Sequence, residues 1–260
     1  VILVNFKTYK EGTGEKALQL ARICAEVGRE SSVEIIPVVQ VVDLWRIKQE
    51  LPKLSVFIQH LDWQPQGQFS GWINLEAVEE AGAVGALLNH SEHPIPPGMV
   101  RQVLRRCKDT KRQTCLPARQ GGKEKSLHLC SSESLNLSCF TAVVCAKTLG
   151  QIERLIKLKP DLLAYEPPEL IGSQQASVAK VFLKTIKKVA GLGKQKGVPI
   201  IVGAGIHSAE DVKISLKMGA AGILVSSYVV LAKEQKKALE GLAEAFKQIR
   251  NSKHEIRNNI

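Results

Sequence analysis

Aromatic side chains are scarce: Phe, Tyr and Trp make up 5% of a 260-residue chain in which 44% of residues are hydrophobic. A core must then be filled by Val, Ile, Leu and Ala, the composition of parallel sheets covered by helices. No apolar run reaches the roughly 18 residues that a membrane span requires, which excludes a helical membrane anchor within this stretch. No secretory leader is expected, because the chain opens on Val1-Ile-Leu-Val-Asn5, which reads as a strand. No initiating Met precedes it, so a few further residues are expected in front. The six cysteines include no CxxC pair and no paired metal spacing. They are expected to be reduced, mostly buried thiols of a cytoplasmic protein.

Acidic residues are the minority charge, and the net formal charge of +11 raises the question of nucleic acid. The lysines and arginines, however, fall on the polar sides of helix-periodic stretches such as Lys180–Lys196 and Lys233–Lys253, with almost no aromatics between them. That is the pattern of solvated helix faces, and it predicts no nucleic-acid partner. A modest attraction for anionic small molecules accompanies it.

What is present is an alternation of short β-branched runs with helix-periodic segments. The runs Ile2–Asn5, Val33–Val38, Val56–His60, Ala86–Asn89, Ala142–Cys145, Leu162–Tyr165, Ile200–Gly203 and Gly222–Val225 read as strands. Between them Ala17, Leu20, Ala21, Cys24 and Val27 share one helical stripe, and Pro97 suits the first turn of a helix over Met99–Cys107. Ser208 with Asp211 predicts a capping box for Ala209–Lys217. Eight strand–helix units give either an open doubly wound sheet or a closed barrel, and the count with about 250 residues favours an α/β protein of the (β/α)8 TIM-barrel class. An internal echo supports a repeated unit: Ala81-Gly-Ala-Val-Gly-Ala-Leu-Leu88 resembles Met218-Gly-Ala-Ala-Gly-Ile-Leu-Val225. Residues 1–250 are thus expected to form one domain, with a surface insertion at about 112–140, where the sequence turns Ser-, Lys- and Cys-rich without a period. A polar tail, 251–260, is expected to fray.

In such a barrel, reactive groups sit at the C-terminal ends of strands. Those positions hold Asn5-Phe6-Lys7 after strand one, Asn89-His90-Ser91-Glu92 after strand four and Tyr165-Glu166-Pro-Pro-Glu-Leu-Ile171-Gly172 after strand six. Small residues follow strands seven and eight, Gly203-Ala204-Gly205 and Ser226-Ser227. A lysine, a histidine, a carboxylate and two small-residue turns then share one mouth. Each feature alone has a bland reading: a lone strand-end histidine is usually structural, a single glutamate pairs with a surface lysine, and Gly-x-Gly is a weak phosphate signal. The remaining histidines keep their bland readings, His60 packing under the site and His128 and His254 in the insertion and tail. Pro94 follows His90-x-x-His93, so no helix turns that pair toward one metal, and no metal is indicated.

In combination and in this order, Asn5-x-Lys7, Asn89-His-Ser-Glu92 and Glu166-Pro-Pro-Glu-Leu-Ile-Gly172 resemble triosephosphate isomerase, and its short archaeal-type branch above all. Gln59-His60, the Gly-Ala-Val-Gly lead into strand four, Gly203-Ala-Gly-Ile206 and Glu210-Asp-Val212 extend the likeness over most of 1–111 and 141–250. The resemblance implies interconversion of dihydroxyacetone phosphate and glyceraldehyde 3-phosphate through an enediolate, without a cofactor, in a homo-oligomer (dimer or tetramer). It implies that Glu166 is the base, that His90 polarises the carbonyl, and that Lys7 and Asn5 stabilise the oxyanion and phosphate charge. Glu92 would support the lysine. Pro167–Ser173 would be a lid that shuts out water, with Ile171 at its rim. Phe6, Ile171, Gly172, Gly205, Ser226 and Ser227 would complete the substrate site, the phosphate resting on backbone N–H groups. Such chemistry needs a dry carboxylate to remove the proton, and a fixed cation with a neutral donor for the oxyanion. Backbone amides then suit a phosphate that does not react.

Three departures from the branch pattern stand out. The far lid hinge runs Gly172-Ser173-Gln174 rather than ending on glycine, Ser226-Ser227-Tyr228 replaces an Ala-Ser-Gly turn, and the 112–140 stretch is extra. They leave two alternatives beside the active isomerase. One is a catalytically impaired phosphate-binding barrel. The other is a different phosphosugar isomerase or epimerase, which predicts a metal site or paired aspartates that the strand ends do not show.

Overall fold

The computed structural model describes residues 1–114, 140–170 and 178–258. Eight parallel strands close into a barrel in sequence order: β1 (Ile2–Asn5), β2 (Ile35–Val39), β3 (Phe57–Ile58), β4 (Gly85–Leu88), β5 (Thr141–Ala146), β6 (Leu162–Tyr165), β7 (Ile200–Gly203) and β8 (Gly222–Val225), which pairs back onto β1. This is the expected TIM barrel. β3 is shorter than its predicted span, because its last two residues leave the ladder and turn their side chains to other work: Gln59 bonds the Lys7 carbonyl and His60 bonds Asp62.

The helices are α1 (Glu15–Ser31), α2 (Val41–Glu50), α3 (Leu75–Glu80), α4 (Pro97–Thr114), α5 (Leu149–Leu155), α6 (Val178–Val181), α7 (Leu183–Lys196), α8 (Ala209–Lys217), α9 (Ser227–Val230) and α10 (Gln235–Asn258). The stripe of α1 is buried as its spacing predicts. The Ser208 hydroxyl accepts from the Asp211 N–H at 3.2 Å, while the Asp211 carboxylate reaches back to the His207 N–H at 3.1 Å, so α8 starts on the expected box. α4 outruns its prediction to Thr114, and α10 continues to Asn258 although 251–260 was expected to fray. Both polar extensions lack a Gly or Pro, and adding a residue to an established helix needs no new nucleus. The body of the expected insertion, 115–139, lies outside the described residues. Its flanks are the end of α4 and the start of β5, on the barrel face away from the strands' C-terminal ends.

Strand residues alternate between two cores. Ile2, Val4, Ala86, Val144 and Leu163 pack outward against the helices. Leu3, Phe57, Leu87, Val143, Ala164, Ile201 and Leu224 fill the barrel interior. Branched aliphatics dominate both layers, which is why so few aromatics suffice. The internal echo is structural too. Gly82 (φ 95°) and Gly219 (φ 100°) each follow a helix in a left-handed turn, and the next amides, of Ala83 and Ala220, close back on Val78 and Ser215. Positive φ at these turns is what glycine allows cheaply. Three residues on, Gly85 and Gly222 begin their strands so close to neighbours that a Cβ would lie 2.6 Å from the Thr141 carbonyl and 2.3 Å from that of Val1.

Candidate active site

The two-residue period of a strand selects the site residues. On β1, Leu3 points inward, so Asn5 and Lys7 continue on that side while Phe6 faces the helices. The Phe6 side chain is fully buried in the helix-side core and does not line the cavity. Lys7 takes φ 48°, held by its own N–H bond to Asn5 Oδ1 at 3.0 Å. On β4, the inward residue is Leu87, which would leave His90 out of phase. Asn89 (φ 57°) breaks the alternation, and its side chain is tied to the Cys145 carbonyl at 2.9 Å and the Ile95 N–H at 3.1 Å, so the twisted residue delivers His90 to the mouth. On β6, Leu162 and Ala164 lead inward to Glu166. Among the described residues five non-glycines have positive φ. Two, Ser32 and Lys159, end helices; the other three, Lys7, Asn89 and Ala204, stand at strand ends around this cavity. Backbone strain is concentrated where the side chains must be aimed.

Asn5, Lys7, His90, Glu166, Gly205, Ser226 and Ser227 all line this one cavity. Glu166 Oε2 lies 3.4 Å from His90 Nε2. The backbone N–H of Glu92 donates to His90 Nδ1 at 3.3 Å. A ring nitrogen that accepts carries no proton, so the imidazole proton is assigned to Nε2, on the side of Glu166 and the cavity. Lys7 Nζ meets Glu92 Oε1 at 2.5 Å. Glu166 is 5% exposed, and burial pushes its carboxyl above the ordinary value. His90, a hydrogen bond from the Cys145 thiol and the charge of Lys7 oppose that rise. Cys145 in turn is held far above the usual thiol range by burial and by the carboxylate beside it. Gly203 has no room for a side chain: a Cβ there would sit 2.6 Å from Glu166 Oε1.

The opposite wall is made of Ala204, Gly205, Ile206, His207 and the turn Ser226-Ser227-Tyr228 that opens α9. Ser226 Oγ and His207 Nε2 are buried there without a hydrogen-bond partner among the described residues. Tyr228 lines the cavity, but its ring leans edge-on against His207, with centroids 6.2 Å apart. Ile171, Gly172 and the hinge residue Gln174 lie outside the described residues, which end on the 3-10 turn Pro168–Leu170.

A family model described as triosephosphate isomerase matches residues 1–246. The chain belongs to the triosephosphate isomerase family. It is 37% identical over 245 residues to the triosephosphate isomerase of Methanothermus fervidus and 34% identical over 244 residues to that of Methanosarcina acetivorans, each alignment covering 93% of this chain and 96% of the relative. That of Saccharolobus solfataricus is 35% identical, covering 92% of this chain and 93% of the relative. The crystal structure of triosephosphate isomerase from Bartonella henselae shares the fold, with a TM-score of 0.66 at 17% identity, over 95% of this chain and 98% of that one.

Within this triosephosphate isomerase barrel, two residues at the site carry no motif, Cys145 and His207. Cys145 was reachable by phase alone, since it follows inward Val143. His207 had no such signal, because the left-handed turn after β7 resets the alternation.

Proposed function

We propose that this chain interconverts dihydroxyacetone phosphate and glyceraldehyde 3-phosphate with Glu166 as the base. The carboxylate removes the proton from the carbon beside the carbonyl. His90 donates through Nε2 to the carbonyl oxygen and returns the proton between the two oxygens of the enediolate. Lys7 and Asn5 hold the negative charge that develops. The phosphate rests on backbone amides at Gly205, Ser226 and Ser227, with the buried hydroxyl of Ser226 open to it. No metal is needed, because the fixed cation and the neutral donor share the stabilisation of the enediolate.

The observation that carries these roles is the meeting of Lys7, His90 and Glu166, from three separate strand ends, in one cavity with the carboxylate buried 3.4 Å from the imidazole. A coupled assay on glyceraldehyde 3-phosphate tests it. The wild type turns over, and Glu166→Gln, with an unchanged circular-dichroism spectrum, loses about 10³-fold in kcat, within the span of general-base catalysis. A Glu166→Gln protein that kept wild-type kcat would remove Glu166 from the mechanism.

The chain acts in the cytoplasm as a homo-oligomer. Supporting the first, Cys24 and Cys145 are buried thiols outside any disulfide, as a reducing compartment keeps them. Supporting the second, large apolar side chains are left in solvent on α2 (Val42, Trp45) and in the loop after β3 (Phe69, Trp72). Sedimentation of the purified protein checks the assembly; a monomer at micromolar concentration overturns it.

A further inference from the structure

Two histidines that take no part in the proton transfer face each other beside it. The rings of His60 and His93 stack with centroids 4.1 Å apart and planes 20° from parallel. His60 follows β3, and its ring is anchored: Nε2 lies 3.0 Å from Asp62 Oδ1. Asp62 is itself fixed, accepting the Ile73 N–H on Oδ2 at 2.9 Å and donating its own N–H to the Ile73 carbonyl at 2.8 Å. A carboxylate can only accept, so the shared hydrogen belongs to His60 Nε2.

His93 stands at the end of the turn that carries the catalytic groups. Its N–H donates to the His90 carbonyl at 2.9 Å. Inside that turn the Glu92 N–H orients His90 through Nδ1, and the Glu92 carboxylate holds Lys7. Gln59, next to His60, donates its side-chain amide to the Lys7 carbonyl at 2.9 Å. The end of β3 puts no side chain into the cavity, yet it touches both elements that do.

We propose that the His60–His93 stack is a positioning device: it docks the His90–His93 turn onto the Asp62–Ile73 loop and thereby sets the direction of His90 Nε2 and of the Lys7–Glu92 pair. This rests on the roles assigned above to His90 and Lys7. Neither stacked ring touches substrate. The titratable groups that act on His93 are His60 and Asp62, both from the loop after β3. Only one of the two stacked rings has a carboxylate to share its charge. Two imidazolium rings at this separation repel, so the stack holds while His93 is neutral and opens when acid protonates it. Burial, then the charge of His60, lower the His93 value below the ordinary one, and Asp62 opposes them. Acid loosening of the turn therefore falls on the acid side of the ordinary histidine range.

The test uses His93→Ala, which removes the ring, and His93→Phe, which keeps a stacking ring that cannot titrate. With kcat and KM measured from pH 5 to 9, His93→Ala lowers kcat about tenfold at neutral pH, with KM changed by less than about twofold, as misaimed groups do. His93→Phe restores kcat to within about twofold of the wild type and flattens the acid-side fall in kcat/KM. Proton NMR of the imidazole Cε1–H resonances supplies a readout without turnover. In the wild type the His60 and His93 signals each sense the other's protonation. Wild-type kcat in His93→Ala, an unchanged acid limb in His93→Phe, or two independent histidine titrations would each overturn the proposal. Should His93→Ala fail to fold, the His93→Phe profile and the wild-type titration decide alone. A wild type without turnover would sink the assigned chemistry instead, and the NMR titration would still judge the stack.

Discussion

The two walls of the barrel mouth are built by opposite rules. On the side of β1, β4 and β6, the polar groups are already tied to one another: Lys7 to Glu92, His90 to the Glu92 amide, Asn89 to β5, Glu166 to the Cys145 thiol. One atom there stays open, Glu166 Oε2, which lies near His90 Nε2 without a hydrogen bond. On the side of β7 and β8 the buried polar atoms Ser226 Oγ and His207 Nε2 have no hydrogen-bond partner among the described residues, and the backbone between β7 and α8 is twisted into positive φ at Ala204 and Gly205. A buried polar atom without a partner costs about 1–3 kcal/mol. Under the proposed roles, the first wall is preorganised for a proton transfer, with only the accepting oxygen left free, and the second receives the anion that completes its hydrogen bonds.

The comparison predicts that groups on the first wall govern kcat and groups on the second govern binding. The largest effect is at Glu166, where activity and stability move in opposite directions. Burial raises the folded carboxyl above its unfolded value, so the folded chain holds that proton more tightly. The stability this contributes is complete below the unfolded value, roughly pH 4.3, and is lost as pH rises through the folded one. At neutral pH the ionised Glu166 is therefore a liability to the fold. Glu166→Gln, which loses about 10³-fold in kcat, melts at a higher temperature than the wild type at pH 7, and the gap closes toward pH 4. A lower melting temperature at pH 7 would place the carboxylate in a stabilising role and break the contrast. Next comes Lys7→Met, which removes the fixed cation but keeps the length of the chain. A preorganised donor to a developing oxyanion contributes about 10²-fold, and that loss appears mainly in kcat. An equal loss carried by KM alone would move Lys7 to the binding wall.

This division was only half visible in the sequence. Asn5-x-Lys7, His90 and Glu166 could be placed because they lie in unbroken two-residue phase with a strand, or next to one twisted residue, and because side-chain chemistry marks them. Phe6 shows the limit of reading neighbours as equivalent, since one step along a strand moves a side chain to the other core. The binding wall was harder to read. Its donors are backbone amides, which every residue has, and its shape comes from φ values at Ala204 and Gly205 that composition does not encode uniquely. Tyr228 is a departure from the branch pattern at the turn after β8. In the fold its ring meets His207, a contact between two loops that no local pattern announces.

Gly203 lies on the seam between the walls and sharpens the contrast. A methyl group there would press on Glu166 Oε1 at 2.6 Å, and the carboxylate has little freedom to retreat, being buried against Cys145 and His90. Gly203→Ala should shift the base without altering the phosphate turn. A displacement of the order of an ångström lowers kcat by about 10- to 100-fold. KM should stay within about twofold, because binding energy shared by ground and transition states is untouched. Kinetics that show KM rising as much as kcat falls would mean that the two walls are not separable at this strand.

The smallest effect expected is at Ser226, and it falls on binding. Its hydroxyl is buried without a partner, so in the free protein Ser226→Ala removes an unsatisfied atom and leaves stability equal to the wild type or above it. With phosphate bound, the wild type gains a hydrogen bond that the variant lacks. A net bond of about 1 kcal/mol to the anion corresponds to a rise in KM of about fivefold, with kcat unchanged. The same difference is readable without turnover, because a ligand that binds only the folded state raises the melting temperature by mass action. Inorganic phosphate should therefore stabilise the wild type more than Ser226→Ala, while the two melt alike or in the reverse order in phosphate-free buffer. Equal phosphate-dependent shifts would show that backbone amides alone hold the anion. The open hydroxyl would then be only a gap in the packing of the second wall, and the readiness of that wall for an anion would rest on Gly205 and the start of α9.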